Sequence, residues 1–362
     1  MDFSVLKQLV EINSWTKNKV GVDLNGEIMK SLYRDIGYQI SEYKREDIGN
    51  HLYFKTKFNS KNTRLLLLGH LDTVFPPETF TQFKEDAEWV YGPGVCDMKG
   101  GNFIAYCALK NIFQKYGHVY NIDVLLVSDE ETGSDDSKKL SQEIALNYDE
   151  CIDFEAAGQN MEVVVARKGI ATFKLNFEGK AAHAGNHYTE GKNANLAAAK
   201  ALIALTDLTC IEKGTTVNAG VIKGGIGANT IAPTSEILVE ARFESLEEKN
   251  RVLRDIDLVV KEQWVRGVSC KLSGGVQRDV MVETNAQKAF IKKIEKKLGY
   301  VLKKEKRGGV SDANVFAEKG VATLDGFGPF GDGDHTVHER ANKKSFAQRI
   351  NESYQIFELY QI

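Results

Sequence analysis

The sequence predicts an α/β fold: a large domain built on a largely parallel sheet, interrupted by a smaller α+β domain of two helices on an antiparallel sheet. Three observations predict it. Strand and helix signals alternate through the first half of the chain, which is the pattern of a parallel sheet with crossover helices. The middle of the chain changes to long alternating strands and two long helices. After the middle, one apolar run is placed to rejoin the first sheet, which makes the small domain an insertion. At 362 residues the chain has room for two such domains.

The N-terminal stretch MDFSVLKQLVEINSWTKN is amphipathic rather than an export signal: it has no unbroken apolar core and no small-residue cleavage site. HLYFKTK and RLLLLGH read as strands, and GGNFIAYCALKNIFQKYG as a helix with apolar residues three and four apart and a glycine stop. NIDVLLVSDEE is an apolar strand ending in acids, and DECIDFE is a further strand. From Gly169, GIATFKLNFEGKAAH alternates as a strand does. NANLAAAKALIALTDL is a helix, TVNAGVIKGGIGANTIAPTSEILVEARFES two strands about a glycine-rich turn, and LEEKNRVLRDIDLVVKEQWV a second helix. NAQKAFIKKIEKKLG then starts a helix, and VATLDGFGPF is the strand and loop that rejoin the sheet. The resulting boundaries are 1–167 and 279–362 for the large domain and 168–278 for the insertion.

Composition excludes several classes. Hydrophobic residues make up 42%, enough for real cores, and the net charge of -3 leaves no electrostatic footprint for nucleic acid. The lysines of IKKIEKKLGYVLKKEKR interleave with apolar residues at helical spacing, as on the wet face of a surface helix. No segment is long and apolar enough to span a bilayer. Five scattered cysteines form no CxxC pair and no disulfide framework, so the cytoplasm is the expected location. Cys96, beside Asp97, reads as a small soft filler.

The chemistry gathers at strand ends, where open α/β sheets place their ligands. In LLLLGHLDTVFP a buried strand ends on His70 and Asp72. Positions two apart face the same way, so the carboxylate is placed to fix the ring's tautomer and leave the other nitrogen free for a metal or a proton. GPGVCDMKGG supplies Asp97, LLVSDEETGS supplies Asp129, Glu130 and Glu131, and CIDFEAAG supplies Asp153 and Glu155. GPFGDGDHTVHER adds Asp334, His335 and His338. Singly, such residues are most often helix caps, solvated turns or surface histidines. Five such loops in one domain, rich in imidazole and carboxylate and without a cysteine ligand, suit zinc, with cobalt or manganese as substitutes. A shared carboxylate bridging two ions is the arrangement of two-metal hydrolases.

GHLDTVFP, GPGVCDMKGG, SDEETGS, FEGKAAHAGN, KGGIGANTIAP, RGGVSDAN and GDGDHTVHE together resemble, in order, the motifs of the dizinc exopeptidase family. That family includes bacterial glutamate carboxypeptidase, aminoacylase, acetylornithine deacetylase and succinyl-diaminopimelate desuccinylase. GHLDTVFP and RGGVSDAN look most like the glutamate carboxypeptidase branch. The resemblance implies two zinc ions per chain. His70 and Glu155, with Asp153 as the fallback for Glu155, match ligands of the first, Glu131 and His335 those of the second, and Asp97 the bridge. It makes Asp72 the acid that orients His70 and Glu130 the general base. His335 rather than His338 matches the ligand because Glu339 follows it by four residues, as the family pattern requires. His183 matches an oxyanion donor that commonly reaches the site from a partner subunit, which implies a homodimer through the inserted domain. Asn229 and Arg242 match substrate-binding positions, and Arg307 is a further candidate, arginine being suited to grip a free carboxylate with its planar fork.

The sequence therefore points to a carboxypeptidase that hydrolyses an amide bond next to a free carboxylate. The nearest rival is an N-acyl amino acid deacylase using the same site, with a peptide or an N-acyl amino acid as the respective substrate. A rival of another class is a catalytically inactive, metal-binding dimeric protein, against which the full ligand set and Glu130 count.

Overall fold

The run of leucines before His70 has a two-sided explanation. Leu65 and Leu67 enter the main core while Leu66 and Leu68 enter a second core on the opposite face. A central strand covered on both faces needs apolar residues at every position, and each buried leucine contributes roughly 1.5–3 kcal/mol. The computed structural model describes residues 1–59 and 63–361. Its main sheet has six strands, running edge to edge Gln39–Tyr43, His51–Lys55, Ile122–Val127, Leu65–His70, Glu150–Asp153 and Ala322–Leu324. The last four are mutually parallel, and the first two are antiparallel additions. Ala322–Leu324, from VATLDGFGPF, rejoins the sheet beside Glu150–Asp153.

The chain forms two compact units. The larger comprises residues 1–166, 283–307 and 311–362; the smaller comprises 167–282 and 308–310. The small unit thus reaches Val282 and also takes three residues of the RGGV segment, which linear reading of the chain does not separate.

In the large unit, the Lys99–Tyr116 helix ends at Gly117 in the left-handed conformation (φ 73°), as the glycine stop predicts. Its start packs very closely on the sheet: a Cβ on Gly101 would lie 1.9 Å from the Phe154 carbonyl oxygen. The N-terminal amphipathic stretch forms a helix, Ser4–Glu11, burying Leu6, Leu9 and Val10.

The small unit holds a four-stranded antiparallel sheet in the order Thr216–Gly224, Thr234–Phe243, Gly169–Glu178, Ser269–Arg278. Two helices, Ala194–Thr206 and Leu246–Lys261, share a core with it that includes Phe173, Leu175, Ala198, Val239 and Ile256. Each helix begins on a capping side chain: Asn193 accepts from Leu196 N and Ser245 from Glu248 N. The Ser269–Arg278 strand is an addition to the sequence reading. It is mostly exposed and contains Gly274 and Gly275, so it lacks the alternation that marks an edge strand as such.

Candidate metal centre

The centre lies entirely in the large unit, at the carboxyl ends of its parallel strands. The Leu65–His70 strand delivers His70, 1% exposed, and Asp72 follows fully buried. Gly69 allows the approach of the helix that holds the turn. A Cβ there would meet Asn102 Oδ1 at 2.1 Å, and Asn102 Nδ2 donates to the His70 carbonyl at 2.8 Å. His70 Nδ1 lies 3.0 Å from the Asp72 carbonyl oxygen and 3.4 Å from Asp72 Oδ1. Backbone and carboxylate of Asp72 therefore share the job of orienting the ring. The other carboxylate oxygen, Oδ2, accepts from Thr16 Oγ1 at 2.7 Å and from Glu131 N at 3.2 Å. One aspartate thus anchors His70 and the backbone of Glu131.

With Nδ1 engaged, His70 Nε2 faces outward, 3.1 Å from Asp97 Oδ1 and 3.6 Å from Glu155 Oε1. On the other side, His335 Nε2 is 3.3 Å from Asp97 Oδ2 and 3.1 Å from Glu131 Oε2. The two oxygens of Asp97 therefore face two imidazoles, each with its own glutamate. Closest-approach distances also group His70 with Glu130 and Glu155, and His70 with Asp97 and Glu131, ligand atoms in each set lying within 4.8 Å of one another. These sets overlap the two halves, as they must when the whole cluster is only a few ångströms across. Asp153, the fallback for Glu155, points elsewhere: its Oδ2 accepts from Ala313 N at 3.1 Å. Glu130 and Glu131 do not lie on an extended strand. They form a single 3₁₀ turn, Glu130–Thr132, closed by Gly133. The turn is what separates the two side chains. His335 itself takes a left-handed conformation, φ 62°, which is uncommon for a residue with a Cβ.

The electrostatics fit a site for cations. Burial pushes Glu131 up to about 7, with Asp97 adding to it, and drives Glu130 and Glu155 well above the ordinary carboxylate range. Asp97 is buried as well, yet hydrogen bonds from His335 and His70 hold its carboxyl well below the usual range. Hydrogen bonds to Asp97 and Glu131 raise His335 to about 11. Burial opposes charge on His70, but Asp72 and Asp97 more than offset it. Four acids, Asp97, Glu130, Glu131 and Glu155, converge on two imidazoles, and among the described residues none of the four is paired with a lysine or arginine. A donor set of two imidazoles and several carboxylates with surplus negative charge suits divalent zinc, cobalt or manganese.

The other sequence candidates fall as follows. His183, Asn229 and Arg242 belong to the small unit. His183 is exposed on a loop, and its Nδ1 accepts from Gly185 N and Asn186 N at 3.1 Å, which leaves Nε2 as the donor. Asn229, also exposed, accepts through its backbone from Ala184 N at 2.9 Å, on the same loop pair. Arg242 donates to Glu240 Oε1 at 2.7 Å and to the Gly308 carbonyl at 3.1 Å. Arg307, in the large unit, donates to Glu305 Oε1 and, through Nη1, to the Ala156 carbonyl at 2.9 Å, next to Glu155. His338 lines a separate open cavity of about 620 Å³ with Thr79, Phe80, Lys84, Tyr91 and Arg340. Cys96 is a buried filler whose thiol burial pushes well up. Thr16 and Asn102 escape a sequence reading because a lone Thr in a loop and a lone Asn in a helix carry no spacing signal. Only their partners, Asp72 and His70, give them a role.

The model of "Peptidase family M20/M25/M40" matches residues 66–358, a span that contains every residue of the centre named above except Thr16. Carboxypeptidase G2 from Pseudomonas sp. (strain RS-16) is 26% identical over 345 residues, 91% of this chain and 82% of that protein. Succinyl-diaminopimelate desuccinylase from Rickettsia rickettsii (strain Sheila Smith) is 24% identical over 391 residues, 99% of both. Among solved structures, aminopeptidase PepT from Bacillus cereus ATCC 10987 shares the fold with a TM-score of 0.81 at 22% identity, covering 98% of this chain and 97% of that one. An M20 family metallo-carboxypeptidase, Sso-CP2 from Sulfolobus solfataricus, does so with a TM-score of 0.75 at 16% identity and 99% coverage of both. The fold and the match across most of the chain agree: this protein is a metallopeptidase or amidohydrolase belonging to peptidase family M20/M25/M40.

Proposed function

We propose that the chain is a dizinc carboxypeptidase of the glutamate carboxypeptidase type, cleaving an amide bond next to a free carboxylate. The observation that carries this reading is the division of Asp97, with one oxygen toward His70 and Glu155 and the other toward His335 and Glu131. That division supports two ions about a shared carboxylate, with Glu130 as the base beside them. Zinc, when bound there, supplies Lewis acidity toward the scissile carbonyl and the attacking water.

The remaining work falls to the chain's own groups. Glu130 takes a proton from the attacking water as its oxygen bonds to the carbonyl carbon. It then gives that proton to the leaving nitrogen as the carbon–nitrogen bond breaks. Burial raises Glu130 above the ordinary carboxylate range, which brings it nearer the pH at which one group both accepts and donates. His183, with Nε2 as donor, stabilises the oxyanion. Asn229, Arg242 and Arg307 hold the substrate's carboxylate.

The small unit supports a homodimer in which His183 serves the centre of a second copy. Its Thr216–Gly224 strand lies at a sheet edge. Leu196 and Ile203, on a helix that packs against that strand, and Ile222 within it are exposed. An open edge beside apolar side chains is a surface built for pairing.

A deacylase reading uses the same machinery, and the likeness to a succinyl-diaminopimelate desuccinylase favours keeping it beside the first. Mass spectrometry of the products from folyl-glutamate, short dipeptides and N-acyl amino acids, with zinc-reconstituted enzyme, separates them. Release of a C-terminal amino acid from peptides supports the carboxypeptidase; turnover of N-acyl amino acids alone replaces it with the deacylase. Metal analysis of protein purified without chelator is expected to give two zinc ions per chain, and an active, metal-free sample would sink both readings.

A further inference from the structure

One buried carboxylate beside the centre is not among its candidate ligands. Glu339 is buried, 1% exposed, four residues after His335. Its Oε1 accepts from Cys96 N at 2.9 Å and from Asp97 N at 3.1 Å, and its Oε2 accepts from Gly94 N at 3.0 Å. Its backbone carbonyl accepts from Gly92 N at 3.4 Å. One residue therefore takes four N–H groups from the loop that carries Asp97.

The strands on either side set up this crossing. Trp89–Tyr91 pairs antiparallel with Arg340–Asn342, Tyr91 opposite Arg340. Going forward from the first strand leads through Gly92 to Asp97. Going backward from the second leads through Glu339 to His335. Where the pairing ends, the two chains separate into two ligand loops, and Glu339 spans the gap. On its own side, Glu339 N donates to the Thr336 carbonyl and Thr336 N to the Gly333 carbonyl, so His335 is carried on a turn closed at both ends. The other half has different supports: Asn102 and Asp72 hold His70, and Arg307 holds the backbone beside Glu155.

Resting on the dinuclear reading above, we propose that Glu339 is a positioning residue that sets the distance between the shared Asp97 and His335, and so governs occupancy of the His335–Glu131 half of the centre. A carboxylate accepting several backbone N–H groups fixes a loop in both direction and distance, which a neutral or shorter side chain does less well. Loss of such outer partners typically weakens metal binding about 10–100-fold.

The test is stepwise zinc binding to chelator-stripped, full-length protein, read by competition with a chromophoric chelator and by the absorption of bound Co²⁺. The wild type is expected to take two ions. Glu339→Ala is expected to keep one at wild-type affinity and to bind the second about 10–100-fold more weakly. Glu339→Gln retains an acceptor at Oε1 and loses the one for Gly94, so its second ion should be weakened less. Three results overturn the proposal: both ions bound as in the wild type with only a lower melting temperature, both ions weakened equally, or loss of the wild-type circular dichroism spectrum in both metal-free variants. The last makes Glu339 a pin of the fold rather than of the centre. A wild type that binds fewer than two ions instead removes the dinuclear reading, whatever the variants do.

Discussion

Buried carboxylates are treated in opposite ways in the two units. In the small unit, Glu248 is 3% exposed. Arg251 meets it through Nη2 at 2.6 Å, Thr215 Oγ1 donates at 2.7 Å, and Lys213 lies 3.4 Å away. The Arg251 hydrogen bonds, ahead of the rest, hold Glu248 down at about 2. In the large unit, burial pushes Glu131 up to about 7 and drives Glu155 well above the ordinary carboxylate range. The large unit is not short of cations elsewhere: Arg349 pairs with Glu352 and Lys293 with Glu150. Glu248, Glu352 and Glu150 are each given a lysine or arginine. The acids of the centre are given only imidazoles and one another, and such an arrangement is costly unless an outside cation completes it.

The strongest test of that contrast separates two neighbouring acids. Glu130→Gln keeps the shape of the side chain and removes its basic oxygen. Its kcat should fall by on the order of 10²–10⁴ with zinc content unchanged. Glu131→Gln should instead lose zinc from the His335 side. The reverse pattern, with Glu130→Gln stripped of metal and Glu131→Gln loaded, exchanges the two roles.

Glu155 and Asp153 sharpen the comparison within one strand end. Glu155 faces His70, whereas Asp153 accepts a backbone N–H from Ala313. Glu155→Gln should weaken one ion by about 10–100-fold or more while the metal-free protein melts as the wild type does. Asp153→Asn should keep both ions and lower stability by about 1–3 kcal/mol, since it disturbs a buried hydrogen bond to a charged group. Zinc titrations and melting curves of the two variants decide it; equal zinc loss from both would make Asp153 part of the ligand set.

The proposed dimer extends the comparison across two chains. A His183→Ala chain and a Glu130→Gln chain, each nearly inactive alone, are mixed and allowed to exchange subunits. If His183 serves the other copy's centre, the heterodimer holds one doubly damaged and one intact site, and activity should partly return. A monomer by sedimentation, or a confirmed heterodimer that stays inactive, removes His183 from that role.

These roles were legible in the sequence to unequal degrees. The candidate ligands were readable because each ends a strand or sits in a glycine-rich bend, so strand prediction and residue type point to one place. His335 was separable from His338 only through Glu339, and the structure gives that glutamate a physical reason to be there: it holds the Asp97 loop. Glu130 and Glu131 are set apart by a 3₁₀ turn, which no residue pattern marks: Ser134 N and Thr132 N donate to the Asp129 carbonyl and bend the chain at once. The Ser269–Arg278 strand left no alternating signal, since its partner Gly169–Glu178, not its own apolar content, defines it. The transfer of residues 308–310 to the small unit is likewise a matter of long-range contact that no local pattern encodes.

The smallest effect tests the paired side of the comparison. Glu248→Gln removes the charge that Arg251 and Lys213 satisfy and leaves those cations beside a neutral amide. The expected loss of local stability near pH 7 is on the order of 1–3 kcal/mol. The sign with pH follows from the direction of the shift. The folded-state value, about 2, lies below the roughly 4.3 of an unfolded glutamate, so the unfolded chain binds the proton first as pH falls. The stabilisation is therefore complete above about pH 4.3 and drains away as pH drops toward the folded value. Hydrogen exchange of amides in the Leu246–Lys261 helix, corrected for intrinsic rates, reads this locally without unfolding the metal centre. Protection in the wild type should exceed that in Glu248→Gln at neutral pH, and the gap should narrow below about pH 4.3. A gap of constant size from neutral pH into the acid range would mean that shape and packing, rather than the ion pair, make Glu248 matter. The contrast between the paired acid of the small unit and the unpaired acids of the centre would then rest on burial alone.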